Sequence, residues 1–383
     1  KNLGRDPADL RRRNTIPPSA MPFKTGLVFT YDSGEFEKNL DDGLSMIDYA
    51  GFEARRQQSA AAGKLRGIGI SNTIERAGAP SIEEATVRLD KTGHVTVLAG
   101  TISQGQGHDT VYKQLVSQML GVPVSDIRVH EGDTDAQGIG GGTGGSRSAT
   151  CGGSAVFRAA EAAIAKAKIL AAHQLEASVE DVEFADGTFT IAGTDRAITL
   201  SEVAKISYTP AKLPDGVEAG IDERATFAPK TANYPNGCHA CEVEIDPETG
   251  TIEVLDYVIV DDVGTVLNPL LLKGQIHGGV AQGYGQAVLE RAVYDGSGQN
   301  LTGSFMDYAM PRADDLCGFE VKSNPVPTKQ NPLGVKGAGE AGTVGALPAV
   351  LNAIRNALGH AGVDAIEMPA SPERVWRALH ATE

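Results

Sequence analysis

The sequence predicts an α+β fold of two related lobes, and three observations carry that expectation. A length of 383 residues exceeds one average domain and leaves room for two separate cores. Alternating, β-branched stretches followed by helical ones recur in both halves of the chain, which suggests an internal duplication that no sequence repeat proves. Three glycine-rich stretches, QGQGHD at 104–109, GIGGGTGGSRSATCGG at 138–153 and GVKGAGEAG at 334–342, each stand between a strand or loop and a helix.

Residues 1–62 read as connecting helices and linker, with a short helix, the Pro-broken stretch TIPPSAMPFKTG and a helical run over 36–62. The start, KNLGRDPADLRRRN, has no initiator Met and opens on a segment shaped like a helix nearing its end, so an upstream portion is expected. A first lobe over 63–207 takes strands at 67–76 and 85–98, a helix at 108–120, a strand at 127–130, the Ala-rich helix 154–175 and a strand-like run at 182–191. Thr199 and Glu202 have the spacing of a capping box. A Pro- and charge-containing connection, 208–236, leads to a second lobe over 237–383. There the pattern predicts strands at 239–245 and 252–260, a Gly-rich helix at 270–289, an irregular Pro-rich segment, a loop at 334–345, a helix at 348–358 and a last helix opened by Ser371 and Pro372.

A formal net charge of -15 argues against nucleic acid, whose affinity for proteins comes mainly from Lys and Arg neutralising phosphates. Arg11, Arg12 and Arg13 follow Asp6 and Asp9 in a helical pattern and read as a solvated or interface face. Four cysteines are too few for a disulfide-dense scaffold, which favours a reducing compartment and hence the cytoplasm. No apolar run approaches the roughly 20 residues of a membrane span, and the start lacks a basic-then-apolar signal layout.

A glycine-rich loop opening a helix brings unpaired backbone N–H groups and the positive end of the helix dipole to a ligand, which suits phosphate or another electron-rich group. Tight turns and close packing are the competing use of the same glycines. Gly337, Gly339 and Gly342 spell G-x-G-x-x-G, but NPVPTKQNPLGVK before them is too Pro-rich for the buried first strand of a dinucleotide fold. The 138–148 loop has no Lys followed by Ser or Thr, so a P-loop is unsupported as well. Cys238 and Cys241, with His239 between them, have a metal-ligand spacing, yet they sit at the entry of a strand, where residues three apart face opposite ways. Cys151 and Cys317 read as structural. His108 lies in the first glycine loop, and His277 in a helix between Gln275 and Gln282, which are two turns apart and share a face with Gly278 and Gly279. These amides either meet a ligand or bind a neighbouring helix. Glu340, between Gly339 and Ala341, has almost no neighbouring side-chain bulk and stands accessible just before a helix, where spacing alone favours a plain exposed loop glutamate over a catalytic base.

The three loops in this order, together with LGRDPADLRRRN, YDSGEF, EGDTDA, EIDPETGTIEVLDYVIVDDVGTVLNPLLLKGQIHGGVAQG and NPLGVKGAGEAGTVGALPAVLNAI, resemble the large molybdenum-binding subunit of the xanthine dehydrogenase, aldehyde oxidase and carbon monoxide dehydrogenase family. The likeness covers nearly the whole chain except parts of 155–235. It implies two cofactor-binding lobes around molybdenum carried by a pterin dithiolene, in some cases as the cytosine dinucleotide, with no protein side chain on the metal. It implies that Gln104, Gly105, Gln106 and Gly107 line the pterin and its phosphates, that Ser146, Arg147 and Ser148 contact the cofactor, that Gln275 lies beside the metal, that Lys336 and Gly339 flank the base, and that Glu340 is that catalytic base. The resemblance further implies partners: an N-terminal molybdopterin-binding portion or chain, an iron–sulfur subunit with two-iron two-sulfur clusters and an FAD subunit, assembled as a dimer of heteromers. The GAGEAGT loop departs from the GVGESPH-like form of true carbon monoxide dehydrogenases, so an aldehyde or N-heteroaromatic substrate is expected. The alternative is a non-catalytic cofactor-binding or assembly module, against which the retained Glu340 counts.

Overall fold

A four-stranded sheet organises each of two units in the computed structural model, which describes residues 4–78 and 81–381. Leu3, which opens the family-like LGRDPADLRRRN, and the expected lobe limits at 1 and 383 lie outside the described residues. In chain order the elements begin with α1 (Pro7–Arg12), β1 (Phe23–Lys24), β2 (Thr30–Tyr31), α2 (Phe36–Met46), α3 (Phe52–Ala61) and β3 (Leu65–Ile74). They continue with β4 (Glu83–Leu89), β5 (Val95–Ala99), α4 (His108–Leu120), β6 (Ile127–Glu131), α5 (Gly153–Gln174), β7 (Val182–Ala185), β8 (Thr188–Ile191), β9 (Ala197–Thr199), α6 (Leu200–Ser207) and β10 (Ile221–Phe227). The remainder is β11 (Asn236–Ile245), β12 (Ile252–Asp262), α7 (Pro269–Tyr284), β13 (Phe319–Ser323), α8 (Ala341–His360) and α9 (Pro372–His380).

One unit comprises Ala77–Asn233 and Lys329–Gly337, the other Lys1–Arg76, Tyr234–Thr328 and Ala338–Glu383. The division differs from the expected lobes because β3 pairs antiparallel with β11 from Ile74↔Asn236 to Leu65↔Ile245, so 63–76 belongs with the second sheet. The two sheets share one topology. In the order β10-β4-β5-β6, β4 and β5 form an antiparallel hairpin, β5 reaches the parallel β6 through α4, and α5 then packs on β4 and β10. In the order β13-β12-β11-β3, β11 and β12 are the hairpin, β12 is parallel to β13 with α7 between them in sequence, and α8 packs on β11 and β3. The duplication suggested by the sequence therefore exists in the topology, with one difference. The edge strand follows its hairpin in the chain in one unit (β10) and precedes it in the other (β3).

Several expected elements are split or extended. The run at 85–98 is a hairpin, because Asp90 Oδ1 accepts the Thr92 and His94 amides at 2.7 and 3.2 Å and Gly93 takes φ +91°. The run at 182–191 is likewise β7 and β8, turned by Asp186 and Gly187 at φ +46° and +75°, the Asp-Gly pattern of a type I′ turn. The connection at 208–236 holds β10, whose alternating burial lines it against β4. The helix expected over 36–62 breaks after Met46, with Asp48 at φ +47°. The helix expected at 348–358 starts at Ala341 and carries Pro348 inside it, forfeiting one ladder bond. The capping box on Thr199 and Glu202 and the Ser371 cap are both present. Among the described residues no helix is long and apolar enough to cross a membrane.

In the second unit α8 lies with its backbone directly on β3. A Cβ at Gly69 would stand 2.1 Å from the Ala349 carbonyl oxygen, and one at Gly67 2.1 Å from that of Ala353. The edge of β3 is closed from the same helix: Asn356 Oδ1 accepts the Ile68 amide at 3.1 Å and Asn352 Nδ2 donates to the Ile70 carbonyl at 3.0 Å. Arg11 adds a 2.7 Å bond to that carbonyl, so the basic run at the start partly docks rather than standing wholly in solvent. Beneath, Val243, Ile245, Val254 and Ile259 pack with Val350, Ile354 and Leu358 into one core.

Gly69→Ala is expected to lower stability by about 1–3 kcal/mol, the usual cost of overpacking, read from the urea unfolding midpoint. Gly318, where an added Cβ meets nothing within 4 Å, gives the control: Gly318→Ala should stay within about 0.5 kcal/mol of the parent. Equal midpoints for the two variants would mean that α8 does not rest on β3.

Candidate active site

In the unit of Ala77–Asn233 and Lys329–Gly337 the loops at 100–107, 138–148 and 331–337 converge. The first turns on Gly105 (φ +102°) and Gly107 (φ +85°), and a Cβ at Gly105 would meet no atom within 4 Å. Gln106 folds back on its own loop: its Nε2 donates to the Ile102 carbonyl at 3.3 Å and its Oε1 accepts the Gln104 amide. The Gln104 side chain is exposed. Below the loop His108 Nδ1 meets Glu131 Oε1 at 2.9 Å, Thr101 Oγ1 donates to the same carboxylate, and Tyr112 links Thr101 to the Ser148 carbonyl at 3.0 and 3.2 Å. Burial pushes the Tyr112 phenol up, so it keeps its proton and can donate to that carbonyl. One buried network thus holds the first loop and the second.

Thr143 makes the direct tie, donating to the Ile102 carbonyl at 2.7 Å and meeting Ser148 Oγ at 2.7 Å. Close approach explains the glycines: a Cβ at Gly140 would lie 2.5 Å from the Gly100 carbonyl oxygen, and one at Gly141 2.3 Å from Arg147 Nη1. The Arg147 guanidinium is committed inside this unit. It donates to Ser81 Oγ at 3.0 Å, to the Gly142 carbonyl at 3.2 Å and to the Ile82 carbonyl at 3.3 Å, and it pairs with the Glu83 carboxylate. Glu83 also accepts the Gly141 amide at 3.0 Å, while burial raises its pKa. Ser146 stands at φ +51°, and Ser148 opens a π-helical turn, Ser148–Gly152, that runs into α5.

The third loop is braced by Asn331, whose side chain accepts the Val335 amide at 3.2 Å and donates to its carbonyl at 2.8 Å. Gly337 donates to Asn233 Oδ1 at 2.9 Å, and a Cβ there would lie 2.0 Å from the Ser146 carbonyl oxygen. Lys336, between them, is buried. The chain passes to the other unit between Gly337 and Ala338.

In that unit Glu340 is the N-cap of α8 and is exposed; its side chain does not cap the helix it opens, while its carbonyl accepts the Val344 amide at 3.0 Å. Glycine contacts fix the helix start: a Cβ at Gly342 would lie 2.4 Å from the Ile276 carbonyl oxygen on α7, and one at Gly345 2.3 Å from the ring of the buried His239. Thr343 Oγ1 donates to the Gly279 carbonyl at 3.0 Å and to Gln282 Oε1 at 3.2 Å, so Gln282 binds helix to helix. Gln275 is half-buried on α7. Burial lowers the pKa of His277, whose ring meets Phe319 edge-on. Cys238 and Cys241 do face opposite ways, Cys238 under Gly43 of α2 and Cys241 in the core with α8, and burial pushes the Cys238 thiol up to about 12.

Helix α4 and helix α8 both open on a glycine loop without a side-chain cap; α2, α3 and α5 also lack one, whereas α1, α6, α7 and α9 are capped by Asp6, Thr199, Asn268 and Ser371. At α4 the uncapped first-turn N–H groups, the open side of Gly105 and the Ser146 hydroxyl form a donor set suited to a phosphate-bearing, polar heterocyclic group, and the space beside Gly105 is one that a side chain would fill. The sequence pointed to these loops but not to Glu83, Glu131 or Thr143, which hold them. The acidic pair Glu83–Glu84 at the head of an apolar strand was the available signal.

Residues 42–317 match the family model described as molybdopterin cofactor-binding domain. The chain is 37% identical to the nicotine 6-hydroxylase large subunit of Paenarthrobacter nicotinovorans, over 97% of this chain and 47% of that protein. It is 34% identical to the carbon monoxide dehydrogenase large chain of Hydrogenophaga pseudoflava, over 99% and 49%. Among solved structures, quinoline 2-oxidoreductase from Pseudomonas putida 86 superposes with a TM-score of 0.93 at 35% identity, over 99% of this chain and 50% of that one. The chain spans about half the length of these relatives.

Arg147→Met should cost about 3–5 kcal/mol, since it leaves the buried Glu83 carboxylate without its cation. Adding Glu83→Gln removes that charge, and the double variant should recover a large part of the loss. Thermal and urea unfolding of the three variants would show this, and a double variant no more stable than Arg147→Met would refute the coupling.

Proposed function

The chain belongs to the molybdopterin cofactor-binding domain family, and from that membership we propose that it is the C-terminal, cofactor-binding half of a molybdenum hydroxylase large subunit. The reaction proposed is the hydroxylation of an electron-poor carbon, in which a C–H bond is replaced by C–OH, the oxygen comes from water, and two electrons and two protons leave. The observation that carries the proposal is the uncapped start of α4 on the glycine loop at Gly107, with open space beside Gly105.

When bound, a molybdenum–pterin group would supply the two-electron redox chemistry and the oxygen transfer. The chain's residues do the holding and the proton work. The amides around Gly105 and Gly107, with Gln104, would receive the phosphate-bearing part, and Ser146 would add a hydroxyl donor, while Ser148, whose proton goes to Thr143 Oγ1, braces the loop. Gln106 and Arg147 serve by bracing the loops, since their donors are used within the unit. Lys336 and Gly339 position the segment that leads to Glu340. Gln275 presents an amide from α7, and the Glu340 carboxylate takes a proton as general base. The relatives named for nicotine and quinoline support an N-heteroaromatic substrate over an aldehyde, and the GAGEAGT loop stands against carbon monoxide.

The words large subunit and large chain in the relatives' names support further subunits, and the proposed set is the remaining half of the large subunit, an iron–sulfur chain and an FAD chain, forming a dimer of heteromers. The cytosine dinucleotide form of the pterin is the form proposed for the cofactor.

Two variants of the assembled protein test the proposal. Gly105→Val should lower molybdenum and pterin content, because the side chain fills space that is now open. Glu340→Gln should retain both and slow reduction by substrate about 10²- to 10⁴-fold, the usual cost of losing a general base, measured by stopped-flow with metal and pterin assayed in parallel. A fully metallated Glu340→Gln protein reduced at the parent rate would remove Glu340 from the chemistry. A parent protein without molybdenum would remove the function.

A further inference from the structure

Two tight turns in the unit of Lys1–Arg76, Tyr234–Thr328 and Ala338–Glu383 hold large apolar side chains out in solvent. At the tip of the β1–β2 hairpin Leu27 is 80% and Val28 89% exposed, and in the turn Ser304–Asp307 Phe305 is 83% and Met306 94% exposed. Neither turn is a loose end. Thr25 braces the hairpin, its amide and hydroxyl both donating to the Phe29 carbonyl at 3.1 Å, and Phe29 and Tyr31 stack edge-on against Tyr234. In the other turn Ser304 Oγ donates to Asp307 Oδ2 at 2.6 Å, the Tyr308 amide donates to the Ser304 carbonyl at 2.9 Å, and the Tyr308 hydroxyl reaches Glu290 at 3.4 Å. Ordered turns that present adjacent apolar side chains are the form of binding anchors: rigid, centrally buried on docking and surrounded by polar groups.

The geometry points to these two tips, Leu27–Val28 and Phe305–Met306, as docking knobs for the polypeptide that corresponds to the half of its relatives this chain does not span. This deepens the proposed function and rests on it. The occupant is a polypeptide segment of about this chain's own size, because the chain covers 47–50% of relatives that contain both halves. An anionic membrane is disfavoured by the net charge of -15. A second copy of this chain and the proposed iron–sulfur and FAD chains are the other candidates, and the test separates them, since docking of any of these would leave the complex with the remaining half unaffected by the variants.

The full chain, tagged, is co-expressed with its organism's polypeptide that matches the relatives' remaining half, and dissociation is followed by dilution and native mass spectrometry. Phe305→Asp/Met306→Asp and Leu27→Asp/Val28→Asp are compared with the parent. These side chains touch little within the chain, so its melting temperature alone should be unchanged. Each pair should weaken the complex at least about 30-fold, an anchor of 2 kcal/mol converted at 1.4 kcal/mol per tenfold. Hydrogen exchange on the parent gives a second reading that needs no variant: amides at 26–29 and 304–308 should slow in the complex.

A parent complex unaffected by both variants, or unslowed exchange at both tips, overturns the knobs and leaves the proposed function standing. No parent complex overturns the proposed partner and the knobs together. Self-association of the chain that the variants abolish, or its sedimentation with phosphatidylserine vesicles, overturns this choice of occupant.

Discussion

Close contact between backbones without intervening side chains is the constraint on which the structure depends. In the unit carrying Glu340, Gly67 and Gly69 let α8 lie directly on β3, Gly345 lets it pass over the His239 ring, and Gly342 with Gly279 lets it meet α7. These contacts run along most of the helix, from Gly342 to Ala357. They set the height and rotation at which α8 begins, and therefore where the Glu340 carboxylate stands. In the unit carrying the first two loops, Gly100 against Gly140 and Gly337 against Ser146 do the same for the loop backbones. A methyl group at any of these positions except Gly345, which faces the His239 ring, moves a main chain rather than a side chain, which is why the cost falls on geometry as well as stability.

The two sheets show how far a duplicated topology can be rewired without losing its core. Each has a hairpin, a helical crossover to a parallel strand, and a long helix laid on the hairpin's first strand and the edge strand. Only the chain position of the edge strand differs. Pairing needs a strand of the right length and pattern at the edge, and it is indifferent to whether the chain delivers that strand first or last. The amide pair Asn352 and Asn356 closes the edge of β3 from α8.

Local chemistry made much of this legible in the sequence. The span of α4, the box of Thr199 and Glu202, the Ser371 cap and the opposed faces of Cys238 and Cys241 all follow from residues a few positions apart. The hairpin turns at Asp90–Gly93 and Asp186–Gly187 carry equally local signals, but uninterrupted strand-forming residues on either side mask them. What the pattern does not show is non-local. Nothing near β3 says that its partner is β11, so the unit boundary was misplaced. Glycine loops announce a binding region, yet the groups that hold those loops are Glu83, Glu131 and Thr143, whose roles appear only once Arg147, His108 and the Ile102 carbonyl are brought to them. A glutamate heading a strand reads as solvent-facing until its cation arrives from elsewhere in the chain.

The bare starts of α4 and α8 have a consequence for the life of the protein before it is loaded. Each missing cap forgoes about 0.5–2 kcal/mol that a Ser, Thr, Asp or Asn would contribute, and any ligand that satisfies those amides in the folded chain alone returns stability in proportion to its occupancy. Ligand supply and protein lifetime are thereby coupled. If the proposed cofactor binds at either start, a cell short of it would carry a population that opens more readily there and is cleared sooner by its proteases, so the amount of polypeptide would track the amount of cofactor without any dedicated sensor.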